Sequence, residues 1–154
     1  MSASSAESTL YRTPEEIETL VRDFDACTLP REAWTHRAHL TVALWYLLHH
    51  SLPEATVLVR HGIERFNRAH GIRTTPHGGY HETLTLFWIS IVTRYLEEAS
   101  REDRSLVTLA NNLLLRHGRK ELPLEYYSRE RLFSPEARAA WVEPDLKRIR
   151  EPLT

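Results

Sequence analysis

The sequence of 154 residues contains a single cysteine, Cys27, so no disulfide can form within the chain. This fits a reducing compartment such as the cytoplasm. The longest apolar run, residues 42–48, is far shorter than the roughly 20 residues needed to cross a bilayer. The first residues contain no basic segment followed by an apolar one, so we expect no signal peptide. These absences predict a cytoplasmic protein that does not associate with membranes.

An excess of charge of one sign is also missing. The chain has 20 basic and 21 acidic residues, which gives a formal net charge of −1. Neither half carries the basic patch that is typical of nucleic-acid binding. The content of 42% hydrophobic and 27% charged residues is that of a globular protein with one core. We therefore expect a small-molecule substrate or ligand and no nucleic-acid partner, while the oligomeric state stays open.

Strand patterns and internal repeats are absent as well, and only 5 glycines occur. Apolar residues instead recur at helical spacing, as in Ile17, Leu20, Val21 and Phe24. The spacing and the cap signals predict an all-α, single-domain bundle of about five main helices with a C-terminal tail of short helices.

From periodicity and from Pro and Gly positions, we place the main helices at about 14–26, 53–70, 80–98 and 103–117, with the second helix starting between residues 31 and 35 and ending at about 50. The helix at 80–98 has the cleanest one-sided apolar pattern, so we expect it to be the central helix. Residues 1–12 are expected to form a disordered lead-in, and residues 13–154 a single helical domain.

Histidine is the residue in excess. The chain has 9 histidines, whereas an average composition gives on the order of three. His36 and His39 lie in the segment WTHRAHL, residues 34–40, near the start of the second predicted helix. Residues three apart on a helix have Cβ atoms about 5–6 Å apart, so both imidazoles could reach one ion.

A second histidine segment, GYHETLT at residues 79–85, opens the fourth predicted helix and contains His81 and Glu82. Helical bundles build metal sites from side chains on facing helices. We therefore predict that His36, His39, His81 and Glu82 meet in the bundle interior and hold one transition metal ion.

The residue types restrict the metal and its chemistry. Two histidines and a carboxylate with open positions suit non-haem Fe(II), three histidines and a water suit zinc, and copper also favours imidazole. Glu82 is either a ligand or a catalytic group that orients a histidine. Tyr46, on the same face of the second helix, is the other catalytic candidate, and His77 is a reserve ligand. The prediction is a metal-dependent enzyme acting on a small molecule, with oxidation favoured slightly over hydrolysis.

Two other interpretations stay open, because a His-x-x-His pair is a weak motif and a histidine in a first helical turn can serve as a cap. The protein could be a non-catalytic metal-binding, ligand-binding or sensor module. It could also be a metal-free helical interaction protein with a histidine-rich core.

The two histidine segments, together with YSRERLFSPEAR at residues 127–138 and EPDL at 143–146, carry a resemblance. The chain resembles a family of small bacterial all-helical proteins that has no established activity. The resemblance covers the chain from about residue 15 onwards. It implies that the tail is a fixed part of the folded unit, and it implies no catalytic role for any residue.

Overall fold

A computed structural model of the chain describes residues 10–99 and 104–149. Five main helices, α1 to α5, form an all-α bundle; they span Pro14–Asp25, His36–His49, Leu52–Ala69, Glu82–Glu98 and Leu106–His117. Two short helices, α6 and α7, follow at Arg129–Leu132 and Pro135–Ala139, and 3-10 turns lie at Arg31–Ala33 and Leu122–Glu125. Within the described ranges there is no β-strand. The predicted all-α, single-domain bundle with a tail of short helices is confirmed.

The helices begin where the sequence supplies N-caps. Thr13 and Glu16 form the capping box that starts α1, and the hydroxyls of Thr35 and Ser51 accept backbone N–H bonds at the starts of α2 and α3. The start of α4 differs, because its N-cap is the imidazole of His81. One of the predicted metal ligands therefore has a capping role.

The centre of the bundle is α2, which packs against α1, α3, α4 and α5. It is apolar on nearly every face, as a helix surrounded by other helices must be. The helix expected to be central, at 80–98, is α4; it packs against α2, α3, α5 and α7, whereas α2 packs against all four of the other main helices. Both helices are covered along most of their length, since no residue of α4 between 82 and 96 is exposed. Even so, none of the helices in the described ranges is long and apolar enough to cross a membrane.

The tail covers the side of α4 that faces away from α2. Aromatic and aliphatic residues of both form a second core: Phe87, Ile91, Tyr126, Tyr127 and Leu132. The Tyr127 hydroxyl donates to the Val142 carbonyl at 2.7 Å. The Asp145 carboxylate accepts from the backbone N–H and the hydroxyl of Ser128, at 2.8 and 2.7 Å. The tail is thus an integral part of the domain.

The folded unit begins earlier than the predicted boundary at residue 13. Tyr11 is buried, and its N–H donates to Asn111 Oδ1 at 2.9 Å. Its hydroxyl bonds to Thr41 Oγ1 at 2.8 Å, and the Arg37 guanidinium lies over its ring. A single tyrosine before the first helix has no periodic partner in the sequence, so spacing could not place it. Residues 1–9 of the predicted lead-in lie outside the described residues.

Candidate functional site

The four predicted metal ligands do not converge. His36 and His39 lie together at the start of α2, whereas His81 and Glu82 turn towards the tail and towards α3. Among the described residues, no three His, Cys, Asp or Glu side chains are grouped so as to hold a metal ion. The four residues are therefore too far apart to bind one ion together, and the prediction of a shared site was wrong.

Both ring nitrogens of His81 are already hydrogen-bonded. Nδ1 accepts from the Leu84 N–H at 3.1 Å, which caps α4, and Nε2–H donates to the Leu132 carbonyl at 2.7 Å. Burial lowers the pKa of His81 below its ordinary value, so the ring is neutral at neutral pH, as both bonds require. His81 joins the start of α4 to the tail and has no free lone pair for a metal.

Glu82 points to α3 because the next residue on a helix is rotated by about 100°. Arg60 donates to it bidentately, from Nε at 3.0 Å and from a terminal nitrogen at 2.7 Å. The Tyr80 hydroxyl donates to the same carboxylate at 2.5 Å. Burial opposes ionisation of Glu82, but the hydrogen bonds from Arg60 and Tyr80 outweigh it and lower its pKa. Both carboxylate oxygens are occupied, so the predicted ligand and catalytic roles of Glu82 are replaced by a structural one.

Removing the charge of Glu82 tests this structural role. We expect Glu82→Gln to lower the free energy of unfolding by about 1–3 kcal/mol, because half-buried Arg60 loses its charged partner. The matched control is Glu98→Gln, since Glu98 pairs with Arg94 four residues earlier on the exposed side of the same helix. An exposed pair of this kind contributes about 0.3–0.5 kcal/mol. Urea unfolding of both variants measures the difference, and equal losses would contradict the structural role.

Tyr46 lies away from the histidine pair. Ten residues separate it from His36, which is about 15 Å along α2 at a rise of about 1.5 Å per residue. Its hydroxyl donates to the Asp25 carboxylate, and Arg65 lies 3.8 Å from that carboxylate. Burial, and then the bond to Asp25, raise the pKa of Tyr46 above its ordinary value. Tyr46 therefore joins α1 and α2, and its predicted catalytic role is not supported by its position. The reserve ligand His77 is exposed in the loop between α3 and α4.

His36 combines burial with an unsatisfied nitrogen. Its ring meets the Trp88 ring edge-on, with centroids 4.6 Å apart. Burial lowers its pKa, and the nearby ammonium of Lys120 lowers it further. The backbone carbonyl of Gly118 lies within hydrogen-bonding range of the ring, whereas Nε2 is buried without a hydrogen-bond partner. His36 thus holds a neutral imidazole whose Nε2 has no hydrogen-bond partner.

His39 has a similar arrangement one turn further along α2. Its ring stacks on Trp34 with centroids 3.8 Å apart, and its Nδ1–H donates to the Thr35 carbonyl at 2.7 Å. Burial lowers the pKa of His39 to about 4, and the neighbouring His36 contributes to the shift. The proton on Nδ1 leaves the Nε2 lone pair available.

The two imidazoles therefore have the protonation state of metal ligands or general bases. In metal sites, the ring nitrogen that does not bind the ion commonly donates to a backbone carbonyl, as His39 does to Thr35. The nearest acidic influence on His36 is Glu121, whose charge raises the histidine's pKa. Gly118 and Glu121 follow α5, far from His36 in sequence, so spacing gave no signal that they border the site.

Comparison of the chain with family models, with curated proteins and with solved structures finds no match. No residue role is therefore carried over from a related protein. The candidate site is defined by the geometry of His36 and His39.

Proposed function

We propose that the protein binds one transition metal ion through Nε2 of His36 and Nε2 of His39. The observation that supports this most is the buried Nε2 of His36, which has no hydrogen-bond partner. Burying a polar nitrogen without a partner costs free energy, and a bound ion would recover it. Iron, copper and zinc all accept imidazole ligands, so the residues leave the metal's identity open.

Two protein ligands leave most coordination positions to water or to a small molecule. An ion with open positions can polarise a bound substrate, activate a water or take part in oxidation. Trp34 packs on the ring of His39 and Trp88 on the ring of His36, which holds both imidazoles in place. Glu121 is the acidic group whose charge acts on His36. The proposed activity is metal-dependent chemistry on a small molecule.

Elemental analysis of the untagged protein, purified without chelator, tests the proposal. We expect about one equivalent of a single transition metal in the unaltered chain and its loss in both His36→Gln and His39→Gln. The matched control is His49→Gln. His49 also donates from Nδ1 to a carbonyl four residues earlier, at 2.8 Å, and also packs on a tryptophan, but it is exposed. It should retain the metal.

The same samples distinguish metal binding from structural roles of the histidines. Removal of the ion by chelation should lower the melting temperature of the unaltered chain and of His49→Gln. The melting temperatures of His36→Gln and His39→Gln should not change, because these variants bind no ion. A chain that stays metal-free after incubation with Fe(II), Zn(II) or Cu(II) would contradict the proposal. Full metal content in His36→Gln would contradict it equally.

A second candidate function is a metal-free helical interaction module. The observation in its favour is that His81 and Glu82, half of the predicted ligand set, already bond to Leu132 and to Arg60. In this case chelation leaves the melting temperature of the unaltered chain unchanged, and His36→Gln and His39→Gln alter only stability.

A further inference from the structure

A cavity lies where α3 ends and the loop to α4 begins. Its volume is about 400 Å³. It is lined by the last turns of α3 and by the first residues of the loop: Glu64, Asn67, Arg68, Gly71, Ile72, Arg73 and Thr74. A cavity of this size suits a small molecule.

The lining carries an excess of positive charge. Arg68 comes from α3 and Arg73 from the loop, and within the described residues neither guanidinium forms an ion pair. Glu64 is the acidic residue of the lining. A guanidinium presents its N–H groups as a planar fork that matches the two oxygens of a carboxylate or of a phosphate. Two such groups from separate segments can hold one anionic group between them.

The Asn67 amide adds a second observation. Asn67 is only 9% exposed, and in the described part of the chain no hydrogen bond is made by its side chain. The fully buried side-chain atoms without a partner in the described residues are on His36, Arg37, His70 and Arg138, so the Asn67 amide is open to solvent in the cavity. Because Asn67 is part of the cavity wall, a ligand there would supply the partner that the protein does not.

The wall is held in place before any ligand arrives. The Ile72 N–H donates to the Asn67 carbonyl at 2.8 Å, and the Gly71 N–H to the Arg68 carbonyl at 3.3 Å. These bonds satisfy two carbonyls at the end of α3. The Tyr80 N–H donates to Thr74 Oγ1 at 3.3 Å, which ties the loop to the start of α4. A preformed wall lowers the ordering cost of binding.

We propose that this cavity binds a small molecule through a carboxylate or phosphate group held by Arg68 and Arg73. Asn67 bonds to the polar part of the ligand. Glu64 opposes additional negative charge, so the site favours a ligand with one anionic group. This site is separate from the proposed metal site and does not depend on it.

Calorimetric titration of the full chain with inorganic phosphate, and separately with acetate, tests the proposal and distinguishes the two anion classes. We expect Arg68→Gln and Arg73→Gln each to weaken binding of the preferred anion about tenfold, which corresponds to about 1.4 kcal/mol. Glu64→Gln should strengthen binding several-fold, because it removes the opposing charge. The matched control is Arg31→Gln, which removes one exposed positive charge from the turn before α2. It should leave binding unchanged.

The expected changes in anion affinity have opposite signs, an increase for Glu64→Gln and a decrease for the two arginine variants, so the outcome is decisive. Arg68, Arg73 and Glu64 are all exposed, so these substitutions leave the core untouched, and circular dichroism checks the fold. Absence of binding of both anions at low ionic strength would overturn the proposal. Equal weakening by Arg31→Gln and Arg73→Gln would also overturn it, because that pattern indicates a general charge effect.

Discussion

Gly79→Ala is expected to lower the free energy of unfolding by about 3 kcal/mol. Gly79 has φ = +83°, a conformation that costs an L-residue about 1–2 kcal/mol. The added methyl group would lie 2.5 Å from the Arg73 carbonyl oxygen and 2.6 Å from Thr74 Cα. Both contacts are with backbone, so the loop has to move to relieve them, and such overpacking costs about 1–3 kcal/mol.

The neighbouring glycine is the matched control. A methyl group at Gly78 would have Thr75 Oγ1, at 3.8 Å, as its nearest neighbour, and Gly78 does not have a positive φ. Gly78→Ala should therefore change stability by less than about 1 kcal/mol. Denaturant unfolding measures both variants. Equal stability of the two would show that the loop accommodates the methyl group and that Gly79 is not needed for its conformation.

Gly79→Ala also connects the loop to the proposed anion site. The contacts at Gly79 are with Arg73 and Thr74, which line the cavity. If these residues move, the Arg73 guanidinium moves with them. Phosphate or acetate binding should then weaken in Gly79→Ala and stay unchanged in Gly78→Ala, provided that the cavity binds either anion.

His81→Ala is the second substitution with a large expected effect, about 3 kcal/mol of lost stability. Loss of the cap on the Leu84 N–H costs about 1 kcal/mol. Loss of the donor to the Leu132 carbonyl leaves a buried acceptor without a partner, which costs about 1–3 kcal/mol. The tail would thus be held less firmly against α4.

His81→Asn separates the two contributions. Asparagine is a good N-cap, so it should keep the bond to the Leu84 N–H, but it is too short to replace Nε2 at the Leu132 carbonyl. We expect His81→Asn to lose about 1 kcal/mol less than His81→Ala in urea unfolding. Metal content should be the same in both variants and in the unaltered chain. Loss of metal in both His81→Ala and His81→Asn would show that His81 is a metal ligand after all.

The same residue predicts a pH dependence with a definite sign. The pKa of His81 is lowered by burial in the folded state, so the unfolded chain takes up a proton first as the pH falls. Its contribution to stability is complete above the ordinary value of 6.5 and is lost as the pH falls below it. His81→Asn should therefore flatten the loss of stability as the pH falls below 6.5. If the free energy of unfolding depended on pH equally in His81→Asn and in the unaltered chain, His81 would not contribute to the pH dependence.

The candidate site illustrates what spacing alone could predict. His36 and His39 lie on one helix turn, because a three-residue separation is a local property of α2. His81 and Glu82 are adjacent in sequence, and the helix turns them by about 100° towards different partners. Those partners, Leu132 and Arg60, lie on other elements, and no local pattern connects them to residues 81 and 82.

The sequence by itself determined the helical content, the approximate helix limits and the single-domain fold. Apolar periodicity, N-cap residues and proline positions act over one or two turns, so they can be read from neighbouring residues. The tertiary structure alone decided that α2 is central, that Tyr11 belongs to the core and that the tail binds His81. It also brought Arg68 and Arg73 to one cavity. These features depend on contacts between residues far apart in the chain, where packing and the need to satisfy buried polar groups select one arrangement.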